Sequence, residues 1–273
     1  PCLGTIAKLI RKKTKVFAIT DNVIPHEKRI GDNLLTRYFV KSCDAFLTLS
    51  SSVLDDLKQF TNTKEKIFIP HPIYDSFGEI LAKNKAKKNL GLDENGKYLL
   101  FFGFVRKYKG LDIMLDVMAD KRIQDLDVKL IVAGEFYDNK EEYISQINSL
   151  NISKHVILRS DFIPEDQVKS YFCASDIITQ TYRTATQSGV TQIAYHFERP
   201  MLVTNVGGLA EIVPHNKVGY VCDINSKQIA DCIVEFYTQN KEEEFTENTK
   251  EEKKRFSWGQ LVEGVDNLIK KQL

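Results

Sequence analysis

Short apolar runs rich in β-branched and aromatic residues alternate with amphipathic helical segments along almost the whole chain, and that alternation admits few architectures. Strands are expected at residues 16–20, 45–49 and 67–69, and again at 98–103, 129–133, 156–158, 177–180, 201–204 and 219–222. Helical spacing of apolar residues falls between them, at 33–41 and 53–60, then at 85–90, 111–118, 141–150, 165–174, 190–196, 208–213 and 225–237. Strand and helix in alternation predict an α/β chain, a Rossmann-like doubly wound parallel sheet covered on both faces. Pro70-His71-Pro72 fixes a connector, so the chain divides into residues 1–76, 77–255 and 256–273. The first of these holds too few strand and helix units for a complete domain of this kind. Residues 241–254, dense in Glu and Lys, are expected to form an exposed, mobile helix. A last amphipathic helix starts at Phe256-Ser257-Trp258 and runs through Leu261, Val265 and Leu268.

The chain has 273 residues with 42% hydrophobic content, enough for a substantial buried core. Its 38 basic and 37 acidic residues leave a formal net charge of +1, so no global field favours nucleic acid. No run approaches the roughly 18–20 apolar residues of a membrane span, and no secretory leader pattern is visible. Cytoplasmic residence is the default expectation. Cys2, Cys43, Cys173, Cys222 and Cys232 are scattered and odd in number, which suggests neither a disulfide framework nor a zinc site but small buried hydrophobes. One local basic cluster, Lys8, Arg11, Lys12, Lys13 and Lys15, reads as a solvated helix end. Its other reading is peripheral contact with the inner face of a membrane, at roughly 1 kcal/mol per cation close to the lipid.

Two segments carry chemistry. In Ala185-Thr186-Gln187-Ser188-Gly189-Val190-Thr191-Gln192-Ile193-Ala194, small and hydroxyl-bearing residues run into a helix, which presents bare backbone N–H groups to an anion. The same pattern also fits a plain turn with an N-cap. In Leu99-Leu100-Phe101-Phe102-Gly103-Phe104-Val105-Arg106-Lys107-Tyr108-Lys109-Gly110-Leu111-Asp112, a strand ends at Gly103 and a loop carries Arg106 and Lys109 before the next helix. Ligands of open α/β sheets sit outside the carboxyl ends of the strands, so both cations are aimed at the crevice that the first segment faces. Two cations and one N–H nest suit a diphosphate.

The order of that glycine-containing basic loop, then Val132-Ala133-Gly134-Glu135, Ser175-Asp176, Ser188-Gly189 and Gly207-Gly208-Leu209-Ala210-Glu211 resembles the C-terminal half of a retaining glycosyltransferase of the GT-B fold, family 4. The resemblance runs from about Lys15 to Leu273. It implies a donor-binding domain at 77–255, a partial acceptor-side domain at 1–76, and a final helix at 256–273 that crosses back to it, anchored by Trp258. It implies transfer of a sugar from a nucleotide-diphosphate sugar, of UDP or GDP type, to an acceptor hydroxyl with retention, in polysaccharide biosynthesis. Carbohydrate or lipid-linked acceptors fit, nucleic acid does not, and neither cofactor nor metal is required. The abrupt start at Pro1-Cys2-Leu3 is expected to reflect truncation of a longer protein.

Carried over residue by residue, the resemblance makes Arg106 and Lys109, beside Gly103, the cations for the donor diphosphate. The family usually has Arg directly after that glycine; Phe104 stands there, and Arg106 must reach from two positions later. Gln187, Ser188, Gly189 and Val190 supply donors to the distal phosphate. Many relatives carry two glutamates across this region, and this chain has neither: Thr186 or Ala185 stands near the first, and Gln192, Ile193 or Ala194 near the second. Asp161, Phe162 and Ile163 occupy the loop that presents backbone to the nucleobase, Glu135 lines the cleft, and Glu211 reads equally as a helix-start acid. Where relatives place a histidine after the first strand, this chain has Asp21 and Asn22, with His26 five residues on. Asp21 could polarise the acceptor hydroxyl and Asn22 bind sugar hydroxyls, or the pair is only a strand-ending turn. The rival readings are a GT-B sugar-nucleotide epimerase and a nucleotide-sugar binding module without catalysis.

Overall fold

The computed structural model describes residues 2–25 and 29–272. It separates into two compact units, Pro1–Pro72 with Arg255–Leu273, and Ile73–Lys254.

The first unit is built from α1 (Cys2–Ile10), β1 (Phe17–Thr20), α2 (Asp32–Ser42), β2 (Ala45–Thr48), α3 (Ser51–Lys58), β3 (Glu65–Phe68) and the last helix, Trp258–Lys270. Its strands form a parallel sheet in the order β1-β2-β3. The Ser50 hydroxyl caps α3 by accepting the Val53 N–H at 3.2 Å. Val40, Phe46, Val53 and Leu57 fill one side of the sheet, and Leu47, Leu49 and Leu268 the other. The last helix runs so close to the sheet that a Cβ on Gly264 would lie 1.7 Å from Ile69 Cδ1. Leu268 is the buried anchor of that helix, with Leu261 and Val265 packed beside it. The expectation that Trp258 anchors it is overturned: Trp258 opens the helix with 49% of its surface exposed. Lys8, Lys12, Lys13 and Lys15 are exposed. Arg11 is spent inside the unit, on the Asp44 carboxylate at 2.7 Å. Asp44 also accepts the Val16 N–H; burial works against its charge, and these two donors still hold it below the usual carboxylate range.

The second unit runs α4 (Lys83–Asn89), β4 (Lys97–Phe102), α5 (Leu111–Met118), α6 (Lys121–Asp125), β5 (Val128–Ala133), α7 (Lys140–Ser149), β6 (Val156–Arg159), α8 (Glu165–Ala174), β7 (Ile177–Gln180), α9 (Gly189–His196), β8 (Met201–Thr204), α10 (Leu209–Ile212), β9 (Gly219–Cys222), α11 (Ser226–Thr238) and α12 (Glu242–Glu252). Six parallel strands lie in the order β6-β5-β4-β7-β8-β9. Leu99 pairs with Leu130 on one side and Ile177 on the other, which fixes the central register. Leu99, Phe101, Leu130 and Val132 pack with Met114, Leu115, Ile233 and Phe236 from α5 and α11. The residues between them, Leu100 and Ile131, are buried too, because helices cover both faces.

One expectation fails here. Residues 241–254 are not an exposed, mobile helix. Phe245 of α12 is buried in the core against Tyr220, ring centroids 5.2 Å apart, and Glu252 pairs with Lys217 at 2.7 Å. One aromatic side chain on an otherwise charged helix is enough to dock it, and averaged composition hides that residue. The short helix α6 spans five residues, too few to show a helical period, and the Asp120 side chain caps it.

At the amino end of the sheet, Asp176 accepts the Tyr98 N–H at 2.7 Å and the Tyr237 hydroxyl at 2.9 Å, and it pairs with Lys83. Burial and this carboxylate push the Tyr237 phenol well up. Replacing Asp176 by Ala strands the Tyr98 N–H and the Tyr237 hydroxyl, while Lys83 keeps Glu242, and the expected loss is about 3 kcal/mol. Urea denaturation at neutral pH checks it; an unchanged midpoint would show that the network is not stabilising.

Candidate functional site

The sheet order reverses between β4 and β7. From β4 the chain proceeds to β5 on one side, and from β7 to β8 on the other. Nothing but loops can cover the carboxyl ends of two neighbouring strands whose helices leave in opposite directions, and a crevice results.

The loop after β4 turns on two glycines. Gly103 has φ +91°, and Gly110 has φ +69°. A Cβ on Gly110 would lie 2.1 Å from the Thr181 carbonyl oxygen, so the loop presses directly on the end of β7. The Thr181 hydroxyl donates to the Gly110 carbonyl at 2.8 Å. Between the glycines, Val105 is buried and donates its N–H to Glu135 at 2.8 Å, and residues Lys107–Lys109 form a 3-10 turn. Glu135 thus contributes its backbone to the loop, and Gly134 is needed because a Cβ there would meet the Gly103 carbonyl at 2.4 Å.

Arg183, after β7, ties the two loops together. Its guanidinium makes two bonds to the Asp112 carboxylate, both 2.8 Å, and a third to the Lys107 carbonyl at 2.9 Å. Burial opposes the Asp112 charge, and the bonds from Arg183 and Lys107 more than offset this, holding the carboxyl below its ordinary range. Tyr182 lies beneath, fully enclosed; burial pushes its phenol well up. Tyr182 and Arg183 escaped the sequence reading, which quoted Asp112 only as the end of the basic loop segment. Their only signal was a Tyr-Arg pair shortly before the singled-out Ala185 segment.

Lys109 is held in the middle of this frame. It is 9% exposed. Its ammonium lies 3.1 Å from where a Cβ on Gly103 would stand, with a Val190 methyl 3.9 Å from the same point. The Tyr182 ring centroid is 5.7 Å from Nζ. Among the described residues, no carboxylate lies within ion-pair distance of it. Burial, with repulsion from Arg106 added, pushes the Lys109 pKa down to about 8. Arg106 is exposed, its guanidinium over the Tyr137 ring at 5.0 Å. Phe104 stands edge-on to the same ring, centroids 4.8 Å apart.

The residues 185–190 complete the crevice. Ser188 is the N-cap of α9, yet its own side chain makes no capping hydrogen bond, and its hydroxyl lies 3.4 Å from the Tyr182 hydroxyl. Gly189 begins the helix 3.3 Å, measured from a built Cβ, from the Tyr74 ring. Gly207 holds this loop from the other side: at φ +50° a Cβ would collide with the Ala185 carbonyl, and Gly208 donates to Thr186 at 3.2 Å. Glu211 falls in the first turn of α10.

The structure therefore brings Gly103, Arg106, Lys109 and Val190 together, with Gln187, Ser188 and Gly189 on the adjoining loop. Asp161, Phe162 and Ile163 follow β6, two strands away from β4 along the same carboxyl edge, with Phe162 64% exposed. Asp21 and Asn22 follow β1 in the other unit, both exposed, and His26 lies outside the described residues.

Residues 82–255 match the family described as glycosyl transferases group 1. An uncharacterized glycosyltransferase of Methanocaldococcus jannaschii is 27% identical over 268 residues, covering 96% of this chain and 70% of that protein. A D-inositol 3-phosphate glycosyltransferase of Pseudarthrobacter chlorophenolicus is 21% identical, covering 82% of this chain. An N-acetyl-alpha-D-glucosaminyl L-malate synthase of Bacillus anthracis is 24% identical, covering 70%. The chain spans 53% and 49% of these last two, about half their length. Among solved structures, HepE of Anabaena in complex with UDP superposes with a TM-score of 0.81 at 17% identity, covering 98% of this chain and 76% of that one. A sucrose-phosphate synthase of Thermosynechococcus elongatus gives 0.80 at 14%, covering 98% and 71%. These likenesses establish the GT-B fold expected from the sequence.

An unpaired buried ammonium costs stability. Below pH 8 both folded and unfolded chains carry the Lys109 proton and the cost is full. Between pH 8 and 10.5 the unfolded chain binds more protons, so stability rises with pH. Lys109→Met should stabilise the empty protein at pH 7 by on the order of 3 kcal/mol and remove this rise. Denaturation curves at pH 7 and pH 10 measure both.

Proposed function

The chain belongs to the glycosyl transferases group 1 family, and on that footing we propose that it transfers a sugar from a nucleotide-diphosphate donor to an acceptor hydroxyl with retention of configuration. The observation that carries the reading is Lys109, a buried cation at the carboxyl ends of β4 and β7 with no carboxylate partner among the described residues. Such a charge is stabilised by an incoming anion, and a diphosphate supplies one whose charge grows as the sugar leaves.

Unit Ile73–Lys254 is, in this reading, the donor-binding part. Lys109 meets the diphosphate as a compact point charge, and Arg106 from the rim offers two oxygens a planar fork. Ser188, Gly189 and Val190 offer the start of α9 to the distal phosphate, with Gln187 beside them. These groups carry the charge that a divalent cation neutralises in other transferases. The leaving phosphate, so held, takes the proton of the incoming hydroxyl on the same face of the sugar, which gives retention. Phe162 and its neighbours Asp161 and Ile163 are assigned to the nucleobase. Asp21 and Asn22 enter only through the family resemblance, as groups for the acceptor hydroxyl and the sugar. The acceptor is a carbohydrate or lipid-linked hydroxyl.

Calorimetric titration of the chain with UDP, GDP and ADP tests the donor assignment, with UDP first because HepE was solved with it. One nucleotide should bind in the micromolar range, and Lys109→Ala should weaken it roughly tenfold to a hundredfold. Affinity of the unsubstituted chain should fall as pH rises above 8, where the empty site loses the Lys109 proton. Binding to none of the three, or a pH-independent affinity unchanged by Lys109→Ala, would sink the assignment. Transfer assayed with the preferred donor should be lost in Arg106→Ala and Lys109→Ala alike. Sugar exchange without an acceptor would instead point to epimerase chemistry.

A further inference from the structure

Sequence spacing gave the cysteines no pairing, but the fold brings two of them together: Cys222 Sγ lies 3.3 Å from Cys232 Sγ. Cys222 is the last residue of β9 and buried; Cys232 lies in α11 and is partly exposed. Hydrogen bonds fix the connection between them. The Asn225 side chain caps α11 by accepting the Gln228 N–H at 3.1 Å, and the Gln228 side-chain oxygen accepts the Asp223 N–H at 2.9 Å. The Cys222 carbonyl in turn accepts the Asn205 N–H at 2.7 Å, and its residue pairs with Thr204 across the sheet. Neither sulfur sits on a segment free to wander, and closing from contact to a bond of about 2.05 Å asks for a shift of roughly 1 Å.

We propose that Cys222 and Cys232 form an intramolecular disulfide when the folded protein meets a peroxide. The partly exposed Cys232 reacts first. Its thiolate attacks hydrogen peroxide, the O–O bond breaks, and a sulfenic acid forms as hydroxide leaves. The Cys222 thiol then attacks that sulfur, the S–O bond breaks, and the departing hydroxide takes the Cys222 proton to leave as water. In sum two thiols and one peroxide give one disulfide and two waters, the thiols oxidised and the peroxide reduced. The Cys222 S–H donates to the Cys232 sulfur, which favours the thiolate at Cys232 and holds its pKa below the ordinary thiol value, while the same bond and burial push the Cys222 thiol up. Cys43 and Cys173, both buried and with their thiols pushed up by burial, serve as internal controls.

The test uses the full chain carrying Cys2→Ser, because the exposed Cys2 would link separate molecules. After reduction and desalting, the folded protein is treated with a small excess of hydrogen peroxide, blocked with a maleimide in denaturant, and digested with trypsin. Cleavage after Lys227 separates the two cysteines into peptides 218–227 and 228–241. The expected result is one linked pair of these peptides, about 2 Da lighter than their sum, with Cys43 and Cys173 still blocked as thiols. Cys232→Ser and Cys232→Ala, each checked for native circular dichroism, should abolish the link and leave Cys222 reduced. Thiols intact at both positions would overturn the proposal. So would Cys232 oxidised to sulfinic acid without a link, or a link that forms only in denaturant.

Discussion

A positive charge kept out of water, with no counter-ion among the described residues, organises the second unit. Lys109 is withdrawn from solvent at the point where the sheet order reverses, and the groups around it serve to hold it there rather than to neutralise it. Arg183 and Asp112 neutralise each other, and their fork fixes the loop that carries Lys109. Thr181 and Gly110 close the approach of that loop to β7 within hydrogen-bond distance. Gly103 leaves the ammonium room that any side chain would take.

The two ends of the same sheet make the contrast plain. At the amino end, the Asp176 carboxylate is met by a backbone N–H, a phenol and an ammonium, so its burial is compensated within the fold. At the carboxyl end, Lys109 has an aromatic face and a neighbouring guanidinium that repels it. Parallel strands point their helix starts, and hence the positive ends of helix dipoles, toward that second end. The start of α9, where the Ser188 side chain makes no capping bond, therefore adds to the positive potential. A fold that stabilises an inward charge so thoroughly at one end does not lack the means at the other.

Most strands were legible because parallel strands buried on both faces must be short and apolar, as 98–103 and 201–204 are. Lys109 and Gly103 were legible for a similar reason, since a basic, glycine-containing turn after an apolar strand has few purposes. What stayed hidden depends on contacts distant in sequence. Arg183 and Asp112 are 71 residues apart, and neither looks special in its own segment. Phe245 turns a charged helix into a packed one through rings contributed by Tyr220 and Phe236. Trp258 misled in the opposite sense: its size suggested an anchor, while the smaller Leu268 occupies the buried position. The Cys222 and Cys232 sulfurs, ten residues apart in sequence, meet only because α11 folds back on β9.

The choice of lysine over arginine at the buried position has a consequence of its own. An arginine keeps its charge under any condition a protein meets, so burying it unpaired would impose a fixed cost. A lysine whose pKa has fallen to about 8 can shed its proton when the site is empty and the pH moderately alkaline. An arriving diphosphate would restore the charged form, so that binding near that pH takes up a fraction of a proton from solution. Arg106, out on the exposed rim against the Tyr137 ring, has no such freedom and needs none, because water already screens it. The pair thus divides the labour by depth: a permanent cation where solvent stabilises it, and a titratable one where only a ligand can.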